Sequence, residues 1–228
     1  LDMLSPEGNV AGFQALIEGG SHAIASAFTI IPPPAMDTAA PSGIPYLHGN
    51  TSSLNVDLYK GNKKKYRNVF QLDVPEVWYG SGFVKFLQNK VASGDWKPKN
   101  NKIHIVQGQI SYTQLISKAT QEAAAATNGE WEVAAVTDIQ FPVQDWAPII
   151  RALQDTDAAA IMIDHWVAAE LAAFAQQYAA DPVEGALVYL QYGPSQPEFL
   201  DLAGEAADGF VWGSVIGTYN DDQGAAFR

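Results

Sequence analysis

The stretch ASAFTIIPPPAMDTAAPSGIPYLHGNTSS, residues 25–53, decides how this chain is read. Three consecutive prolines stand between a β-branched run and a short Ala-rich segment, and a second apolar run then opens into small polar residues. Pro32, Pro33 and Pro34 suit the first turn of a helix, where a missing N–H is tolerated and φ is already helical. Gly43 then provides a stop. The stretch therefore reads as strand, proline-started helix, strand, and the same alternation continues outward from it.

Short apolar runs bounded by Gly, Asp or Asn read as strands at residues 22–27, 44–47, 103–107, 131–138, 158–163, 186–190 and 210–216. Between them residues 10–17, 77–91, 114–127, 146–153 and 167–178 carry helical patterning, several closed by glycine. Mostly apolar strands alternating with helices define an α/β fold whose strands are parallel and covered on both faces. A boundary is expected after the loop GNKKKYR, at about residue 72. From there to about residue 218 runs one unit of five strands, whereas only two strands precede it, too few for an independent sheet.

With 228 residues, 47% of them hydrophobic and 17% charged, the composition is globular. No apolar run approaches the roughly 18 residues that span a bilayer. The net charge of -12 speaks against nucleic acid as a partner. Lys60, Lys63, Lys64, Lys65 and Arg67 form the one basic cluster, which reads as a solvated loop or else a docking patch. The absence of cysteine excludes disulfides and thiol chemistry. Four histidines without paired ligand spacing give no metal site, no nucleotide-binding motif appears, and no nucleophile motif supports an enzyme. No cofactor is expected. A chain starting at Leu1 without a signal peptide is expected to be a fragment or a mature segment.

In open parallel sheets, ligands bind beyond the carboxyl ends of the strands. The residues there are Phe28-Thr29, His48-Gly49-Asn50-Thr51-Ser52, Gly108 to Tyr112, Gln140-Phe141, Asp164-His165-Trp166 and Gln191-Tyr192-Gly193. Hydroxyls, amides and large aromatics dominate and no Lys or Arg is present, which suits a small, partly apolar molecule. Asp164 reads as a hydrogen-bond partner for a ligand amine. Trp78, Trp146 and Trp212 read as packing residues.

The first stretch, with NVFQLD at 68–73, KIHIVQGQISY at 102–112, QDWAPIIRAL before DAAAIMID at 144–164 and FLDLAGEAADGFVWG at 199–213, resembles the type I periplasmic binding proteins for branched-chain amino acids, amides and related solutes. That resemblance implies two Rossmann-like lobes joined by hinge strands and closing on a solute. It implies a partial first lobe at 1–72, a second lobe at 73–218 and a hinge return at 219–228, with crossings near 70–73 and 218–221. The family's opening strands and closing portion would be missing. By the same resemblance the ligand residues are Thr29, Asn50, Thr51, Ser52, Tyr112, His165, Trp166 and Tyr192, with Tyr192 standing where amino-acid binders carry a glutamate. The family holds ligand carboxylates with loop hydroxyls and helix-start N–H groups, but Pro32–Pro34 remove three of those donors. Hence the expected ligand is neutral or weakly acidic with an apolar or aromatic body. Four or five hydrogen bonds at roughly 1 kcal/mol each fall short of the roughly 8 kcal/mol of micromolar binding, so aromatic burial must add the rest. The implied protein is an extracytoplasmic, periplasmic solute receptor serving the membrane permease of an ABC importer. A ligand-sensing regulator or receptor domain of the same fold is the alternative.

Overall fold

A computed structural model describes residues 5–29, 31–213 and 222–227. The chain divides into two compact units, Leu1–Glu76 and Val77–Arg228.

In the first unit, helix α1 (Pro6–Glu18) starts with Ser5 accepting the Gly8 N–H at 3.1 Å and Pro6 in the first turn, and buries Phe13. Strand β1 (Ile24–Ser26) leads to α2 (Pro32–Ala39), where the three prolines form the first turn, and a short 3-10 turn ends at Gly43 with φ 70°. Then follow β2 (Tyr46–His48), α3 (Ser53–Gly61) and β3 (Val69–Gln71). The three strands are parallel in the order β1-β2-β3, with Ile24, Tyr46 and Val69 in register. Two elements differ from expectation. NVFQLD supplies a third strand, so this unit has a sheet of its own where only two strands were expected. The KKK stretch is preceded by helix α3, whose one fully buried residue is Asn55; a polar buried face leaves no apolar stripe to read. The five basic side chains are exposed.

The second unit comprises α4 (Val77–Ser93), β4 (Lys102–Gly108), α5 (Ser111–Ala125), β5 (Glu132–Ile139), α6 (Ala147–Thr156), β6 (Ala160–Asp164), α7 (Ala168–Ala180), β7 (Leu187–Leu190), α8 (Pro197–Ala203), β8 (Phe210–Trp212) and α9 (Asp222–Phe227). Its five parallel strands run in the order β5-β4-β6-β7-β8. Side chains alternate between two cores. Ile161, Ile163, Val188 and Leu190 meet Trp146, Ile150, Leu171 and Phe174 of the α6/α7 layer. Ala160, Met162, Ile103 and Ile105 meet Phe83, Leu87 and Ile116 of the α4/α5 layer. Alternation places Asp164, two residues beyond Met162, on the α4/α5 side. The crossing expected at 218–221 lies outside the described residues, and of the return at 219–228 the structure describes helix α9.

Candidate functional site

The carboxyl edge of the first unit is bound to itself. Asn50 clamps Thr29: its Oδ1 accepts the Thr29 N–H at 2.8 Å and its Nδ2 donates to Thr29 Oγ1 at 2.8 Å. Both residues are buried. Ser52 caps α3 by accepting the Asn55 N–H at 3.3 Å, and Thr51 is half-buried. Glu76, which sequence reading passes over, is 2% exposed and seats its carboxylate at the start of α3, accepting both the N–H and the hydroxyl of Ser53. Beneath them burial lowers His48 to about 4, so its ring is neutral at physiological pH.

At the carboxyl edge of the second unit several expected residues do meet. Trp166 stacks on Phe141 with centroids 5.7 Å apart, meets the Tyr112 ring edge-on at 6.0 Å and lies 5.3 Å from His165. Phe141 is 58% exposed, an apolar ring left open at the edge of this cluster. Tyr112 lies in the first turn of α5, because Thr113 donates to the carbonyl of Gly108 at 2.7 Å and starts the helix earlier than expected. Its hydroxyl accepts from Gln191 Nε2 at 2.9 Å. Tyr192 points its ring contact elsewhere, at Tyr79 of α4, 6.1 Å away.

Two carboxyl groups behave differently here. His165 Nε2 lies 3.0 Å from Glu170 Oε2; a carboxylate only accepts, so this ring nitrogen carries the hydrogen. Burial holds His165 below its ordinary 6.5 against the opposing pull of Glu170. The same Glu170 oxygen accepts the Val143 N–H at 2.7 Å, so one side chain ties the loop of Phe141 to the loop of Trp166. Asp164 is fully buried with neither oxygen hydrogen-bonded among the described residues, and burial pushes its carboxyl well above 3.8. Gln191 Oε1 is likewise buried without a partner. Burial, with Asp164 adding, pushes the Tyr189 phenol up to about 12.

The expected packing roles divide. Trp146 is buried, but Trp78 is 62% exposed and Trp212 is exposed too. Both line a groove of about 540 Å³ between α4 and strands β7 and β8, together with Phe83, Phe86 and Tyr189. None of the nine expected ligand residues lines it. Residue type alone read both tryptophans as packing; Trp78 is instead largely open, while Trp212 is partly covered and meets the Phe199 ring at 6.1 Å. Phe141, Gln191, Glu170 and Glu76 are the edge residues that sequence reading left without a role. The first two were visible as strand followers, whereas the two glutamates are not.

Close backbone approach fixes this edge. A Cβ on Gly193 would come within 2.5 Å of Leu171 Cδ1 and 2.7 Å of the Trp166 carbonyl. Gly193→Ala is therefore expected to displace the Trp166 loop, lowering the urea midpoint and blue- or red-shifting the tryptophan emission relative to the parent; an unchanged midpoint and spectrum would contradict this contact.

Two parallel α/β units, with hydroxyls, amides and an aromatic cluster at their strand-end loops, define a Rossmann-like class of fold. The family described as periplasmic binding protein matches residues 2–228, and the chain belongs to that family. A Silicibacter pomeroyi structure provisionally described as a branched-chain amino acid ABC transporter is 32% identical, with a TM-score of 0.88, over 99% of this chain and 56% of its own. Two others share the fold at 16% identity and a TM-score of 0.72. One is a Rhodopseudomonas palustris ABC transporter solute-binding protein solved with benzoate, covering 98% of this chain and 58% of its own. The other is the Streptococcus pneumoniae branched-chain amino acid transporter substrate-binding protein LivJ solved with isoleucine, covering 96% and 57%. The chain thus spans little more than half the length of these relatives. No curated protein matches it.

Proposed function

We propose that this chain is the solute-recognising part of an extracytoplasmic binding protein that hands a small amino-acid-like, amide or aromatic or aliphatic acid ligand to the membrane permease of an ABC importer. Family membership supports the class. The observation that carries the reading is the ring cluster of Phe141, Trp166 and Tyr112 at the carboxyl edge of the second unit, with one ring left open. Burying such a ring against a solute yields roughly 25 cal/mol per Å² of apolar area. Thr29, Asn50, Thr51, Ser52, Asp164, His165 and Tyr192 complete the proposed contact residues, either directly or by shaping the loops. The compartment is proposed to be the periplasm or its extracytoplasmic equivalent.

A thermal-shift screen of amino acids, amides and aromatic acids on the full-length protein tests the class, since a ligand bound at a hundred times its Kd adds about 2.7 kcal/mol. Tyr112→Ala and Trp166→Ala are each expected to weaken the solute found by about tenfold or more, or about 1.4 kcal/mol, without unfolding the protein. Unchanged affinity in both variants would remove the aromatic cluster from the site.

A further inference from the structure

We infer that Glu76 fills the anion seat of the first unit, so that the protein selects solutes that lack a carboxylate: amides and amines in place of free acids. This rests on the solute-binding reading above and narrows it.

The start of α3 is where an anion would be held. It opens directly after the carboxyl end of β2, and its first N–H groups have no partner within the helix. Glu76 already occupies that place, accepting the Ser53 N–H and the Ser53 hydroxyl, and it is buried there. The Thr29 N–H on this edge is satisfied by the Asn50 amide oxygen. At the neighbouring α2 the prolines leave no N–H in the first turn. A ligand carboxylate reaching this edge would therefore meet the Glu76 side chain at the start of α3 and find the N–H groups of Thr29 and Ser53 already engaged.

Among the described residues no ion pair includes Glu76, and the first unit's ion pair is Lys65 with Asp37. All five basic residues of the first unit lie within residues 60–67, at the far end of α3 and before β3. Because α3 crosses from the carboxyl edge of β2 back to the amino edge of β3, that positive charge sits at the opposite end of the sheet. An independent feature of the second unit has the same sense. Its carboxyl edge buries Gln191 Oε1 and the Asp164 carboxyl without hydrogen-bond partners among the described residues. A buried acceptor left unpaired is costly, and a ligand N–H relieves Gln191 Oε1 where a carboxylate cannot.

The test is calorimetric titration of the full-length protein with three nearly isosteric pairs: benzamide and benzoate, isovaleramide and isovalerate, leucinamide and leucine. The parent is expected to bind the amide of at least one pair at least tenfold more tightly than the acid. Glu76→Gln keeps an acceptor for Ser53 and removes the charge, so it is expected to shrink that ratio at least tenfold by gaining affinity for the acid. Ser53→Ala, which leaves the charge in place, is expected to keep the ratio. Acids bound as tightly as amides by the parent, or a ratio unmoved in folded Glu76→Gln, would overturn the inference while leaving the solute-binding reading intact. If Glu76→Gln does not fold, the parent's ratio decides. Failure of all six compounds to bind would count against the solute-binding reading itself, and the inference would fall with it.

Discussion

Replacing Gly80 by alanine is expected to cost the protein about 3 kcal/mol of stability, a value at the upper end for overpacked interiors. A Cβ at this position in α4 would sit 2.3 Å from the carbonyl oxygen of Ile116, 2.6 Å from the backbone nitrogen of Thr120 and 2.8 Å from its hydroxyl. The first two are backbone atoms of α5, which cannot turn aside as a flexible side chain would. The Ile116 carbonyl also accepts the Thr120 hydroxyl at 2.9 Å, so the obstructing group is itself held. Relief requires α4 to withdraw from α5, which opens the core that Phe83, Val84 and Leu87 form over Ile103 and Ile105. The gain in helix propensity from glycine to alanine, about 1 kcal/mol, offsets only part of this. Gly82 serves as the internal control, since it lies exposed on the same helix with open space where its Cβ would go. Gly82→Ala is expected to be neutral or stabilising by up to about 1 kcal/mol. Urea denaturation of the two variants measures the difference, and a Gly80→Ala midpoint equal to the parent's would show that the two helices do not approach this closely.

The same helix pair shows what the sequence could and could not disclose. The strand alternation was readable because the central strands are covered on both faces: 160–163 is an unbroken apolar run, and each of its residues enters one core or the other. Strand β3 escaped because Val69–Gln71 is three residues long and its Phe70 is half exposed, which leaves no period to detect. Helix α3 escaped because its buried face is built on Asn55. At the strand ends, chain order alone identified Tyr112, Asp164, His165 and Trp166 as neighbours, since consecutive parallel strands deliver their followers to one edge. Their supports were not readable. Glu76 reaches Ser53 across 23 residues, and Glu170 answers both His165 and Val143; a carboxylate's distant partner leaves no mark on its local pattern. Trp78 and Trp212 expose the opposite weakness. The usual burial of tryptophan says that such a ring tends to be covered, not whether a neighbour covers it at a given position.

Asp164→Asn is expected to make the protein more stable than the parent at neutral pH and to confer almost nothing near pH 4. Asp164 ends β6 fully buried, with both oxygens lacking a hydrogen-bond partner among the described residues, and burial raises its pKa well above the ordinary 3.8. The sign follows from proton binding. Below pH 3.8 the carboxyl is protonated in both the folded and the unfolded chain, so the folded state loses nothing. As the pH rises, the unfolded chain gives up its proton freely while the folded chain keeps it. Stability therefore falls by about 1.4 kcal/mol per pH unit until the folded pKa is reached. Asparagine has no proton to lose, so the variant escapes that decline and its advantage grows with pH. Other titrating groups affect parent and variant alike, and the difference between their urea midpoints across the pH range isolates Asp164. A difference that does not vary with pH would mean that this carboxylate is solvated or paired after all. An amide ligand adds a second, independent handle. If its N–H pairs with Asp164, saturating amounts must favour the ionised form and flatten the parent's decline, whereas a ligand bound elsewhere would raise the whole curve and leave its slope alone.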